Sequence, residues 1–266
     1  MSGSNVERLP RAEVLGVGFV SMPFTSMIDE VVAALGREDR HALYLCPSGV
    51  HGVVEAQKDP DFRQILNQAA FNVPDGKPIV FLSRFLGFPE TQRAFGPDVM
   101  WSILGRSVEQ GTRHFFYGGR EGVADALAQR CSVAFPGLKV AGTYCPPFRP
   151  LTVTEKESVI DMITTSGADV VWVGLSTPKQ ERWIAEMRDH LDVKLLCSVG
   201  AAFDYHTGAL KPAPTWMQRV ALEWLFRLLQ EPRRLWRRYA EIVPTFLVLV
   251  ALQVSGLKKF PRARDG

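Results

Sequence analysis

A short apolar run followed by a stretch of helical periodicity recurs along this 266-residue chain, and that alternation limits the fold more than any other feature. It occurs at residues 14–20 then 27–35, 42–45 then 50–58, 114–117 then 122–131, and 169–173 then 179–190. Further apolar runs at 71–73, 138–140 and 193–199 supply additional strands. Strands that alternate with helices pair in parallel through crossovers, with the helices covering the faces of the sheet. The pattern therefore predicts a Rossmann-like α/β domain over residues 13–211, a mainly parallel sheet flanked by helices, behind a flexible leader at 1–12. With 46% hydrophobic and 22% charged residues the chain can bury a core of this size, which excludes disorder as the default.

From Pro212 the character changes. Two or three helices punctuated by Pro212, Pro214, Pro232 and Pro244 form a helical, basic appendage over 212–266. Net charge is only +3, yet Arg219, Arg227, Arg233, Arg234, Arg237 and Arg238 fall together with only Glu223 and Glu231 as acids among them. The apolar run at 246–254, broken by Gln253, falls short of the roughly 20 residues that span a bilayer. With Trp216, Trp224, Trp236, Lys258, Lys259, Arg262 and Arg264 it suits a helix pair lying on an anionic membrane surface. It equally suits an amphipathic helix packed on its own domain or on a second subunit, so a homo-oligomer stays open. Cys46, Cys131, Cys145 and Cys197 form no CxxC pair and have no histidines at zinc spacing, which points to a reducing, cytosolic setting. The N-terminal residues, with Glu7 and Glu13, do not read as a signal peptide.

In an open parallel sheet ligands collect outside the carboxyl ends of the strands. Asp75, in Pro74-Asp75-Gly76, follows one such strand; it is a candidate general base or simply part of a good turn. Gly118 and Gly119 open a helix and offer backbone N–H groups to a phosphate, although neither GxGxxG nor a P-loop is present, which disfavours nicotinamide enzymes and triphosphatases. Gln180 and Glu181 fall in the first turn of a helix begun by Pro178, where Glu181 suits the helix dipole. Arg227, Arg234 and Arg237 lie seven and ten residues apart, which brings them to one side of a continuous helix, an alignment that Pro232 can interrupt, and fork-shaped guanidiniums fit a diphosphate or phospholipid heads. No nucleic-acid motif accompanies them, so nucleic acid is not expected as a partner. Neither a cofactor nor a metal is expected, since no DxD metal site is foreseen; arginines and helix N-termini are left to balance a leaving group's charge. His51 and His206 lie near the candidate loops but carry no triad ordering.

Taken in order, VHGVVEAQKDP at 50–60, the Asp75-Gly76 turn, Arg93 within RAFGPDVM, the FYGG turn, TPKQERW and LEWLFRLLQEPRRLWRRY resemble successive blocks of the WecG/TagA/CpsF family of bacterial glycosyltransferases, over residues 14–239. The resemblance implies inverting transfer from a UDP-sugar to an undecaprenyl-diphosphate-linked saccharide, for teichoic acid linkage units, enterobacterial common antigen or exopolysaccharide repeats. It implies a peripheral protein on the cytoplasmic face of the plasma membrane. Position by position, Asp75 matches the family's proposed base, Arg93 and Gln180 match pocket residues, and Arg227, Arg234 and Arg237 match appendage arginines that close over the site. Two departures stand out: the family's Thr-x-Asn is Pro47-Ser48-Gly49 here, leaving Ser48 to replace a lost hydroxyl, and its Arg-Ala-Pro is Pro212-Ala213-Pro214. A non-catalytic, membrane-docked sugar-nucleotide scaffold and a nucleotide-sugar hydrolase are the alternatives.

Overall fold

The computed structural model describes residues 9–38 and 41–260, so positions 1–8 of the expected leader lie outside the described residues. Arg11 and Ala12, expected in that leader, instead open a hairpin. Strands β1 (Arg11–Val14) and β2 (Val17–Val20) pair antiparallel, with Val14 opposite Val17. The continuous strand expected at 14–20 folds back at Leu15 and Gly16, whose φ values of 52° and 77° are those of a tight two-residue hairpin turn. Leu15 in a left-handed conformation costs about 1 kcal/mol. Complete burial of its side chain, and a hydrogen bond of 3.0 Å from its N–H to Gln253 Oε1, offset that cost.

After α1 (Phe24–Leu35) the chain runs through β3 (Leu43–Ser48), α2 (Val50–Lys58), α3 (Pro60–Gln68), β4 (Phe71–Pro74), α4 (Lys77–Phe85) and α5 (Gly96–Arg106). It continues through β5 (Arg113–Gly118), α6 (Val123–Ala134), β6 (Lys139–Tyr144), α7 (Val153–Ser166), β7 (Val170–Gly174), α8 (Lys179–Met187), β8 (Leu195–Ser198) and α9 (Ala202–His206). Six strands form one wholly parallel sheet in the order β4-β3-β8-β7-β5-β6. Period-two alternation sends Val171 and Val173 into one apolar layer and Val170 and Trp172 into the other. The central strands consequently read as continuous apolar runs, because both of their faces are covered.

Buried polar groups are fitted into these layers with matched partners. Trp172 Nε1 donates to His114 Nδ1 (3.2 Å), which leaves Nε2 to carry the proton toward Ser107 Oγ (3.0 Å). Burial holds the His114 ring neutral, its pKa pushed down to about 4.

The C-terminal segment forms α10 (Thr215–Arg219), α11 (Glu223–Gln230) and α12 (Pro232–Val254). Ile242 and Phe246 of α12 join the apolar layer that contains Val14, Val17, Val53 and Val54. Gln253 clamps the hairpin by accepting from Leu15 N and donating to Glu13 O (2.9 Å), and Lys58 pairs with Glu241. The long helix is thus packed on the domain along one stripe. Leu247 and Val248, turned away from that stripe, are 62% and 59% exposed. Among the described residues no helix is long and apolar enough to cross a membrane.

Candidate active site

Strands β3 and β8 are neighbours, but the chain leaves β3 toward the β4 edge and reaches β8 from the opposite side, which opens a crevice at their carboxyl ends. The loops after β3, β4 and β8 converge there. A Cβ placed on Gly96 would lie 3.5 Å from Val199 O, 3.8 Å from Pro47 Cβ and 3.9 Å from Asp75 Oδ1, ordinary contact distances that show how closely the three loops meet here. Asp75 is fixed by its own backbone, N–H to Ser48 O at 3.0 Å, and by Gly96 N donating to Oδ1 at 2.8 Å. Its Oδ2 faces Gly49, where an added Cβ would stand 3.9 Å away. Burial raises the Asp75 pKa above the usual carboxylate value, opposed by the positive charges of Arg93 and Arg227 and by the Gly96 hydrogen bond.

Arg93 binds the Asp75 turn through its backbone. Its Nε donates to the carbonyl oxygen of Asp75 (2.6 Å), not to the carboxylate, while Nη1 pairs with Glu223 at 2.5 Å. That ion pair ties the α11 N-terminus to the β4–α5 loops. Arg227, on the same helix, is a half-buried neighbour of Tyr205 and of Glu231 (3.6 Å).

The arginines do not share a continuous helix. Glu231, with φ −132° and ψ 57°, separates α11 from α12, because Pro232 has no N–H to carry the helix through. Arg227 and Arg234 nevertheless meet, since both pair with Glu231 from opposite sides of the break. Arg237 is exposed, with its guanidinium 5.4 Å from the Trp236 ring centroid. Arg238 takes the inward place instead: burial lowers its pKa, with Arg234 and Arg227 adding repulsion and Tyr239 and Glu55 opposing it. Its position four residues after Arg234 on one helix face was visible in the sequence. Desolvation first, then Arg238 and Lys58, push His51 down to about 4.

Gln180 lies in the first turn of α8, with only 3% of its surface exposed. Its Nε2 donates to Glu181 Oε1 (2.9 Å) and Thr177 Oγ1 (3.4 Å), leaving its carbonyl oxygen without a partner among the described residues, 3.3 Å from where a Gly200 Cβ would stand. Glu181, expected to serve the helix dipole, is buried beneath Gln180, and burial raises its pKa against the hydrogen bonds it accepts. Burial, not a nearby cation, sets its state.

Other candidates are placed differently. Ser48 is buried with its hydroxyl turned toward Cys46 O (3.5 Å) and the space beside Gly52. Gly119 N donates to Gly174 O at 2.9 Å, so this amide is not held out to a phosphate. Gly118, at φ 121°, has Gly174 O only 2.6 Å from a would-be Cβ. Both glycines serve close approach of β5 to β7, and three strands separate them from Asp75, roughly 19 Å across the sheet at the usual strand spacing. The sequence does contain an Asp-x-Asp triplet, Asp59-Pro60-Asp61, but Asp59 caps α3 by accepting from Phe62 N (3.0 Å) and pairs with Arg182. His206 stacks on Trp101 at 4.6 Å and engages Pro97 O at 2.9 Å. Glu223, Glu231, Tyr205 and Phe95 were not foreseen; the first two had a signal as the lone acids of the arginine-rich segment.

A half-buried carboxyl beside the crevice of a parallel sheet, faced by the guanidinium of Arg93 and by that of Arg227 from the C-terminal helices, can take up a proton and bind an anionic group, and the class such a fold and site suit is glycosyltransferase. The chain belongs to the glycosyl transferase WecG/TagA/CpsF family, whose model matches residues 12–259. It is 32% identical over 232 residues, 87% of each chain, to an N-acetylglucosaminyldiphosphoundecaprenol N-acetyl-beta-D-mannosaminyltransferase of Bacillus spizizenii. A Staphylococcus aureus protein of the same name is 24% identical over 249 residues, covering 94% of this chain and 95% of its own.

Proposed function

We propose that this glycosyltransferase moves a sugar from a UDP-sugar to a saccharide carried on a polyprenyl diphosphate, with inversion at the anomeric carbon, in the assembly of a cell-surface polysaccharide. The names of the relatives favour N-acetylglucosaminyl-diphosphoundecaprenol as acceptor and N-acetylmannosamine as the transferred sugar. The observation that carries the mechanism is the Asp75 carboxyl, half-buried, without a direct ion pair among the described residues, and facing Arg93 and Arg227.

In this mechanism Asp75 accepts the proton of the acceptor hydroxyl as that oxygen attacks the anomeric carbon from the face opposite the nucleotide. The bond from the anomeric carbon to the diphosphate oxygen breaks, and the electron pair leaves with UDP. Arg93, Arg227 and Arg234 receive the charge that develops there, a role suited to guanidiniums held in place beforehand. Gln180 offers its unpartnered carbonyl oxygen to a hydroxyl or amide N–H of the sugar. The exposed Trp216, Leu229, Trp236, Leu247 and Val248, with Arg233 and Arg237, would rest on the anionic cytoplasmic surface of the plasma membrane, where a lipid-linked acceptor is reached.

The test is incubation of the purified protein with a panel of UDP-sugars and a short-chain lipid-diphosphate saccharide, scoring UDP release and the mass of the lipid product. A gain of one sugar from a single donor supports transfer. UDP release with no lipid product indicates hydrolysis, and tight UDP binding with neither product would replace the transfer mechanism by a scaffold role.

A further inference from the structure

Four side chains around Asp75 stack into a column. The Arg93 guanidinium carbon lies 4.3 Å from the centroid of the Phe95 ring. Phe95 meets Tyr205 edge-on, with centroids 5.4 Å apart and planes at 73°. Tyr205 in turn carries the Arg227 guanidinium, 5.7 Å from its ring centroid. The members come from three separate stretches: the segment leading into α5, the short helix α9, and α11 of the appendage. Tyr205 also feels the charges of Arg227, Asp75 and Glu223, so the column stands beside the carboxyl and not on a remote face.

Two arginines brought to one site repel each other, and their long side chains have many rotamers to lose. An aromatic pair between them answers both difficulties. Each ring offers a negative face to a guanidinium and restricts its orientation, yet leaves to an anion the N–H groups that Asp75 O and the glutamates do not take. Glu223 and Glu231 hold the outer sides of the same two arginines and complete their orientation. Two cationic seats at a fixed spacing suit two linked phosphates better than one.

Building on the UDP-sugar reading above, we propose that Phe95 and Tyr205 are positioning residues that set Arg93 and Arg227 as a paired seat for the diphosphate of a nucleoside diphosphate. The column is thereby what makes the site discriminate a nucleoside diphosphate from a monophosphate. The aromatic pair itself touches neither the reacting carbon nor the proton in transit; it acts through the two guanidiniums.

The experiment is calorimetric titration of the full-length protein with UDP and, separately, with UMP, for the wild type and for Tyr205→Phe, Tyr205→Leu and Phe95→Leu. Tyr205→Phe keeps the ring face while losing the hydroxyl that meets Arg227, and should stay closer to the wild-type preference for UDP than Tyr205→Leu does. Tyr205→Leu and Phe95→Leu should each weaken UDP binding about tenfold, a change of about 1.4 kcal/mol, while leaving UMP binding close to wild type. In turnover the same two variants should raise KM for the donor more than they lower kcat. Both rings are half-buried, so the variants are expected to fold; thermal melts identify any that do not, and Phe95→Leu and Tyr205→Leu act on the column from different elements, so either one decides. Folded leucine variants with an unchanged ratio of UDP to UMP affinity would overturn the positioning role. A wild type that binds UDP no better than UMP would instead overturn the donor reading, a result seen before any variant is made.

Discussion

Replacing Asp75 with asparagine separates its chemical from its structural role. Asparagine keeps an oxygen where Oδ1 accepts from Gly96 N at 2.8 Å, and it preserves the backbone bond to Ser48 O. The one hydrogen bond at stake is worth about 1 kcal/mol, so the fold should lose less than that. The proton acceptor, by contrast, is gone. General-base catalysis supplies about 10²–10⁴ in rate, and Asp75→Asn should lower kcat by that factor, or about 3–5 kcal/mol of barrier. The pH dependence gives an independent check. Because burial raises the folded-state pKa of Asp75, the folded protein holds this proton more tightly than the unfolded chain, and the stability linked to Asp75 declines as pH rises through the raised value. Asp75→Asn lacks that decline, so its melting temperature relative to wild type should improve from pH 4 to pH 8. For activity, the acid limb of the kcat/KM profile should lie above the ordinary value of 3.8. The assay is lipid-product formation across that pH range, with thermal melts on the same samples. A folded Asp75→Asn enzyme with full turnover would refute the base assignment.

Glu223→Gln removes the carboxylate that orients Arg93, and should weaken UDP binding measured by titration while melting changes little, since the pair is partly exposed. Phe246→Ala empties a position in the shared core and should cost about 3 kcal/mol in urea unfolding; an unchanged midpoint would mean that α12 is not docked as described. Deleting residues 240–266 would remove Ile242 and Phe246 from that core, so the membrane role is better tested by Leu247→Glu with Val248→Glu, which should reduce pelleting with anionic vesicles and leave the melt intact. His114, pushed down to about 4 by burial, is neutral in the fold, so the stability it confers is complete above about 6.5 and falls as pH drops from there toward about 4. His114→Gln should flatten that limb in denaturation curves taken at successive pH values.

The apolar runs at 114–117 and 169–173, each followed by a helical period, were legible as strands because a parallel strand covered on both faces must be apolar throughout. The hairpin at 11–20 was not, because Leu15-Gly16 is a poor turn signal: its left-handed leucine is tolerated only where distant Gln253 bonds its N–H and the core takes its side chain. At the site, Asp75 was visible from its place after a strand, and Gln180 from its place in a first turn. Glycines 118 and 119 suggested a phosphate loop, whereas their purpose is strand packing, which depends on a neighbour more than fifty residues away in the chain.

The sequence by itself determined the alternation of strands and helices, the break at Pro232 and the clustering of arginines, since these depend on side-chain periodicity, a missing N–H and local charge. Tertiary structure alone decided which arginines turn inward, which acids face them, and that Phe95 and Tyr205 lie between Arg93 and Arg227. The links of Arg93 to Glu223 and of Phe95 to Tyr205 join residues more than a hundred positions apart, and they arise only when β3, β4 and β8 end side by side and the last helices fold back over them.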